Sequence, residues 1–362
     1  MGLFILLFVT GCSLFNDQQS SELEGAVVVA DTQYTKLTQN GDLVLTTGTK
    51  EFKNTTLEMK GNIILQDKTK LVLDGVDLYF LQDYNLQYGV SVKGSATLIL
   101  KNVRIFTNGK WMNFNYQDKA KVEFLNVTSD DPNVPWHGTS GDVTVVIKSS
   151  TIGMTLADSV TVQAENSNLF LEIVLRNIQA TLTFPQGYQE SYQQKINNGG
   201  ETISINATKS TFRNWGVTLD RNTIVTFNDS NLTIGLNSYH TATAKNLKKG
   251  LHNSTKVDFD TNILTLKKTF ISSWYPQAQD GATIYISNSD LADVNWNSAD
   301  STIIVNQSTA SIAHARNGAK YEFYNSVIEG DVVAESGSTI LLKNTKVGGQ
   351  IKEITQGKVL VK

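Results

Sequence analysis

A short phrase recurs along this chain after residue 26, and it constrains the fold more than any other feature. It runs apolar, any, apolar, any, then Asn or a similar polar residue, then Ser, Thr or Val, any, apolar. The clearest copies are IYISNSDL at 284–291, IIVNQSTA at 303–310, YEFYNSVI at 321–328 and ILLKNTKV at 340–347. Earlier copies read LILKNVRI at 98–105 and VEFLNVTS at 122–129. The residue after the Asn-like position marks each copy: Thr55, Val76, Val103, Val127, Ser150, Ile178, Ser210, Ser230, Thr261, Ser289, Ser308, Ser326 and Thr345. From 55 to 345 is 290 residues over twelve intervals, about 24 each, and the last three are 19, 18 and 19. One strand per phrase, with a period near 20, is the pattern of a solenoid.

The alternation explains why the phrase repeats. Each copy turns one apolar face inward and ends in a polar turn that bends the chain. A single coil cannot bury its own face, whereas stacked coils share one continuous core. Asn102, Asn126, Asn288, Asn325 and Asn344 fall at equivalent corners, where their amides can bond to the coils above and below. Twelve coils at about 4.8 Å give a rod of roughly 55–60 Å. An antiparallel sandwich or barrel is the competing arrangement. The even spacing and the scarcity of Asn-Gly hairpin turns count against it.

Short, Asn- and Thr-rich strands of this kind resemble the right-handed parallel β-helix of pectin-lyase-like proteins, over about residues 40–362. The expected class is all-β, a right-handed parallel β-helix of about twelve coils, with 26–362 as a single domain. Subtracting a basic coil of about 19 residues from each interval places loop insertions mainly between 79 and 288. The last coils, with EGDVVA at 329–334 and VGGQI at 347–351, resemble bactofilins, which are small β-helices that polymerise. This implies end-to-end self-association, with Lys358 and Lys362 as charged guards on the final strand.

The chain opens MGLFILLFVTGC. The apolar run from Leu3 to Val9 is far shorter than the roughly 18–20 residues of a spanning helix, and it has the length of a signal-peptide core. Val9-Thr10-Gly11-Cys12 resembles the bacterial lipoprotein cleavage box, and Cys12 is the only cysteine in the chain. No Lys or Arg precedes the run, which departs from the usual signal pattern. The resemblance implies a signal peptide over 1–11 and a lipidated Cys12 with a polar tether over 12–25. Ser13 does not favour inner-membrane retention in that family, so the expected address is the outer membrane or cell surface, reached through the lipid anchor only.

Charge removes one function class. With 31 Lys and Arg against 34 Asp and Glu, the chain has no basic excess to neutralise a phosphate backbone, so nucleic acid is not an expected partner. The expected partner is a polysaccharide or cell-envelope glycan. Loops at 111–116, 130–138, 184–200, 237–256 and 272–280 supply aromatic rings amid amides and charges, which suit sugar faces and hydroxyls. The candidate carbohydrate-binding residues are Trp111, Trp136, Tyr188, Tyr192, Trp274, Tyr275 and Trp296.

Catalytic sets are harder to find. Polygalacturonase-like sequences pair aspartates on one coil with a Gly-His-Gly on a later one. Here Asp130-Asp131 and Trp136-His137-Gly138 share one loop, and no Arg-x-Lys follows. The arginine motif of pectate lyases is absent as well. The remaining catalytic candidates are His314, Arg316 and Asp331, with Glu335 nearby, which stacked coils would bring to one flank. His137, His240, His252 and His314 show no metal-ligand spacing. No cofactor or metal is expected, although Ca²⁺ would be called for in a lyase. The sequence thus leans towards a binding protein; a polysaccharide lyase, epimerase or hydrolase is the enzymatic alternative, and a self-assembling surface protein the structural one.

Overall fold

The computed structural model describes residues 35–131, 135–184, 187–198, 201–295, 297 and 300–362. The segments expected as a signal peptide (1–11) and a polar tether (12–25), with Cys12, lie outside the described residues. Tyr34–Lys362 make one compact unit, and every regular element among the described residues is a β-strand.

The chain winds as a right-handed parallel β-helix. Thr49–Lys60 bends at Asn54, so its first half pairs in parallel with Lys70–Asp74 and its second half with Val76–Phe80. Thr97–Phe106 and then Lys121–Ser129 continue both ladders. A third ladder joins Ile63–Leu65, Gly89–Val92, Asn113–Asp118 and Trp136–Gly141. Each early coil therefore has three faces. From Thr151–Leu156 to Thr309–Ala315 the second and third faces fuse; Thr151–Leu156 pairs with Trp136–Gly141 on one side and Asn168–Leu175 on the other, and the fused face divides again when Thr309–Ala315 pairs with both Val327–Ile328 and Val332–Ala334. Alternate side chains along every ladder fill the interior, as in the stack Leu71, Leu98, Val122, Val145, Val162 and Ile205, all buried. Each such side chain contributes about 1.5–3 kcal/mol by leaving water.

The recurring Asn-Ser step is the corner between the first and second faces. Asn102, Asn126, Asn166, Asn288, Asn325 and Asn344 adopt positive φ of 48–59°, a conformation that Asn tolerates better than most residues. Their amides form the expected ladder: Asn126 donates to Asn102 (3.0 Å), Asn288 to Asn246 (2.7 Å), Asn325 to Asn306 (3.2 Å) and Asn344 to Asn325 (3.4 Å). The residue after the corner turns inward. The Ser308 hydroxyl donates to the Asn306 carbonyl two residues back (2.8 Å) and accepts from the Ser289 N–H of the preceding coil (3.1 Å). Ser150, Ser167, Ser210, Ser230, Ser289 and Ser326 likewise donate to the carbonyl two residues back. Two of the sequence markers belong elsewhere. Ile178 follows Asn177 at the return corner, and Thr261 sits at a hairpin tip; Ser167 and Thr269 hold the equivalent corners. The same left-handed turn chemistry serves all these bends, which is why the phrase alone misassigns them.

The segments 184–200, 237–256 and 272–280, expected as loops, are mostly wall strands. Gln179–Leu182 pairs with Ile224–Asn228, two positions further along the first face than its sequence neighbours suggest. The chain then returns as Gly187–Asn198, antiparallel to Glu201–Leu219. The first half of Glu201–Leu219 pairs with Val160–Glu165 and its second half with Asn168–Leu175. The same circuit follows once more: Ala242–Lys245 pairs with Thr283–Ser287, Gly250–Phe259 returns, and Asn262–Ala278 pairs first with Ile224–Asn228 and then with Asn231–Ser238. These two detours add four strands to the first face that the fused face lacks.

Candidate functional site in the groove of the fused face

Along the fused face, several side chains that point away from the core are nevertheless buried. Leu171, Ile173, Val217, Ile234 and Trp274 face inward and belong to the core. Their outward neighbours include Glu172 and Tyr275, each only 5 % exposed, together with Thr218, Gly216 and Gly235. The burial comes from aromatic rings laid over glycines. A Cβ on Gly153 would stand 2.8 Å from the Trp136 ring, and one on Gly235 would stand 2.8 Å from the Tyr275 ring. One on Gly216 would meet the Tyr275 hydroxyl at 3.2 Å. The glycines are thus a floor on which the rings lie flat.

A β-bulge creates the rest of the site. The register between Asn168–Leu175 and Glu201–Leu219 shifts after Leu171, because Leu171 pairs with Asn214 while Glu172 pairs with Gly216. Trp215 is the extra residue, and the bulge re-aims it outward. Its ring lies 5.6 Å from Trp136 and 5.5 Å edge-on to Phe170, over which Arg213 stands at 5.7 Å. The neighbouring pair carries an equivalent shift between Leu232 and Thr233, with Ser272 as the extra residue. Both bulges lie in the long strands that close the two detours.

Beneath the rings sits Glu172. The Trp136 indole N–H donates to the Thr155 hydroxyl (2.9 Å), which donates to Glu172 Oε2 (3.0 Å); Thr218 donates to Oε1 (3.2 Å). Burial raises the pKa of this carboxyl above its ordinary value, and the two hydroxyls pull partly the other way. Burial, reinforced by the Glu172 charge, also pushes the Tyr275 phenol up. The strand ends continue into a cleft of about 570 Å³ lined by Arg221, Asn222, Tyr239, His240, Asp260, Thr261 and Asp280. Between groove and cleft, Asp220 lies 3.6 Å from both Arg176 and Arg221, and Arg176 also reaches Asp158 at 4.0 Å.

The residues singled out in the sequence separate sharply. Trp136 stands in the groove, half-buried. Tyr275 is there too, but as a nearly covered support rather than an exposed platform. Trp274 is fully buried in the core and donates its indole N–H to the Leu247 carbonyl (3.0 Å), so it offers no face to a sugar. Tyr192 points inward and stacks on Phe212 at 4.8 Å. Both were expected on loops; strand alternation turns them into the core instead. Trp111 packs half-buried against the core near the Asn85 loop. Trp296 and the Tyr188 side chain lie outside the described residues.

His314 and Arg316 do meet, and Glu335 completes the group. Arg316 Nη2 donates to His314 Nδ1 (3.0 Å), which assigns the ring proton to Nε2, 3.0 Å from Glu335 Oε1. Burial and the Arg316 charge lower the His314 pKa, against the opposing pull of Glu335. Asp331 is occupied elsewhere, accepting from the Gln350 N–H (2.8 Å) and from Lys352 (3.0 Å). The triad therefore has its base proton-bearing nitrogen and its arginine both committed to one carboxylate, a surface network rather than a nucleophile and its activator. His137 lies in the core, 2.7 Å from the Tyr116 hydroxyl, and burial brings its pKa down to about 3.

Sequence reasoning missed Trp215, Phe170, Glu172 and the three floor glycines. The available signal was Asn214-Trp215-Gly216, where the alternation of the repeat breaks. Comparison with protein-family models, curated proteins and solved structures finds no match for this chain.

Proposed function

We propose that the protein is an extracytoplasmic, lipid-anchored β-helix that binds polysaccharide at the outer membrane or cell surface through the groove of its fused face. The single observation carrying the reading is the half-buried Trp136–Trp215 pair, with Trp136 seated over Gly153, beside polar groups on an otherwise regular strand wall. Sugar rings stack their C–H faces on such indoles while their hydroxyls bond to neighbouring amides and carboxylates. The lipoprotein-like segment ending in Cys12 supports the address.

The test is binding of the full chain to a panel of neutral and acidic polysaccharides, with Trp136→Ala and Trp215→Ala alongside, followed by mass spectrometry of the glycans. Binding that falls at least tenfold in each variant, with glycan mass unchanged, supports the reading. Binding indifferent to both tryptophans overturns it. Glu172 favours a second reading, because a buried carboxyl of raised pKa, joined to the Trp136 indole through Thr155, is suited to proton donation. Shortened or unsaturated products that disappear in Glu172→Gln would favour that enzymatic reading.

A further inference from the structure

The groove and the cleft beside it are carried by the same three strands. Glu201–Leu219 contributes Gly216 and Thr218 to the groove, and the chain runs on through Asp220 to Arg221 in the cleft. Asn231–Ser238 carries Gly235 and Asn237, and leads to Tyr239 and His240; Asn262–Ala278 carries Tyr275 and Gln277, and leads to Asp280. Asn237 and Gln277 are ladder partners, so they sit side by side on the outward row that leads from Tyr275 and Gly235 to the cleft.

Three acceptors on that row lack a donor. Asp220 Oδ1, Asn237 Oδ1 and Gln277 Oε1 are shut from solvent and have no hydrogen-bond partner, and Asn237 and Gln277 are 2 % and 1 % exposed. Buried acceptors left unmatched are rare in a finished fold and gain most from a ligand that brings donors. The terminal amide torsions of Asn and Gln are broad, so a small rotation presents these oxygens to an occupant. The charges point the same way. Asp158, Glu172, Asp220, Asp260 and Asp280 line this path, whereas Arg176 and Arg221 each stand within 4.0 Å of an aspartate. Arg213 lies at the far end, over the Phe170 ring.

We propose that groove and cleft form one continuous site for an uncharged, hydroxyl-rich glycan, and that the same site rejects polyuronates. The inference rests on the glycan-binding reading above and adds the charge class of the ligand. Hydroxyls donate to the unmatched oxygens, while a uronate carboxylate brings only further acceptors and a like charge.

The experiment compares the full chain and the Trp136→Ala/Trp215→Ala double variant on neutral polymers (dextran, mannan, xyloglucan) and on polygalacturonate and alginate. Each is measured at about 0.01 M and about 0.5 M salt, which shortens the screening length from about 30 Å to a few ångströms. The expected result is tryptophan-dependent binding of a neutral polymer, at least tenfold tighter than either polyuronate at low salt, with the gap narrowing at high salt. Tryptophan-dependent binding of a polyuronate equal to or tighter than every neutral polymer overturns the charge inference and leaves the groove reading standing. No tryptophan-dependent binding to any polymer overturns the groove reading itself.

Discussion

Replacing Gly235 by Ala tests whether the groove is built as described. The backbone there is not left-handed, so the added methyl meets only side-chain resistance. It would lie 2.8 Å from Tyr275 Cε2 and 3.0 Å from both Cζ and the hydroxyl oxygen. Ordinary contact begins near 3.5 Å, so the ring must move by roughly 0.5–0.7 Å. Inward movement is blocked by the sheet, and Tyr275 can only lift away, uncovering Glu172. Overpacking of this kind costs about 1–3 kcal/mol. Tyr275→Ala alone removes a buried ring at about 3–5 kcal/mol, but in that background the Gly235→Ala methyl has free space. The double variant is therefore expected to be no less stable than Tyr275→Ala. The coupling between the sites should be about 1–3 kcal/mol, read from urea-unfolding midpoints of the four proteins. Strictly additive effects would refute the ring-on-glycine packing, and with it the argument that the groove is lined by Tyr275.

Three further outcomes follow from the same geometry. His137 is neutral in the fold with a pKa of about 3, against 6.5 when unfolded, so the unfolded chain takes up the proton first and stability falls as pH drops from 6.5 towards 3. The full shift is worth about 5 kcal/mol, and Tyr116→Phe/His137→Phe should unfold at lower pH than the parent, as followed by circular dichroism during acid titration. Glu172 has the opposite sign: its raised folded pKa means that stability is lost as pH rises above the unfolded value of 4.5, so Glu172→Gln should match the parent below that pH and exceed it at neutrality in thermal melts. Ser308→Ala removes the acceptor for the buried Ser289 N–H and should cost about 1–3 kcal/mol, measurable as faster amide exchange at Ser289.

The sequence announces the rod because most coils repeat the same local conflict and a closely similar solution. An Asn that tolerates positive φ, followed by a Ser that satisfies the backbone on both sides, is a local event, visible in eight residues. The inward stack is equally visible, since strand alternation turns Leu98 and Leu100 to the core and Ile99 away, and after the corner Val103 and Ile105 inward and Arg104 out. Where the chain leaves the repeat, sequence distance stops predicting spatial neighbours. Gln179–Leu182 pairs with a strand more than forty residues on, and nothing in its four residues says so. Reading 184–200 and 237–256 as loops was the natural result, because an antiparallel return strand lacks the corner phrase.

The groove arises from those departures taken together. A uniform solenoid offers straight walls on which each outward side chain is exposed. The two detours interrupt this one, and two parallel bulges, which regular ladders rarely carry, lie in the strands that close the detours. The first bulge expels Trp215 from the wall and places Asn214 opposite Leu171 with both amide atoms shut from solvent and unpartnered. A local fault of that kind opposes folding, since an apolar residue at 214 would leave no donor or acceptor unmet. The placement makes sense when the bulge serves what lies outside it: the indole beside Trp136, the glycine floor and the carboxyl between two threonines. The regular part of the chain supplies a scaffold legible from its spacing, whereas the site sits where local rules are broken and only pairing across coils shows what the breaks accomplish.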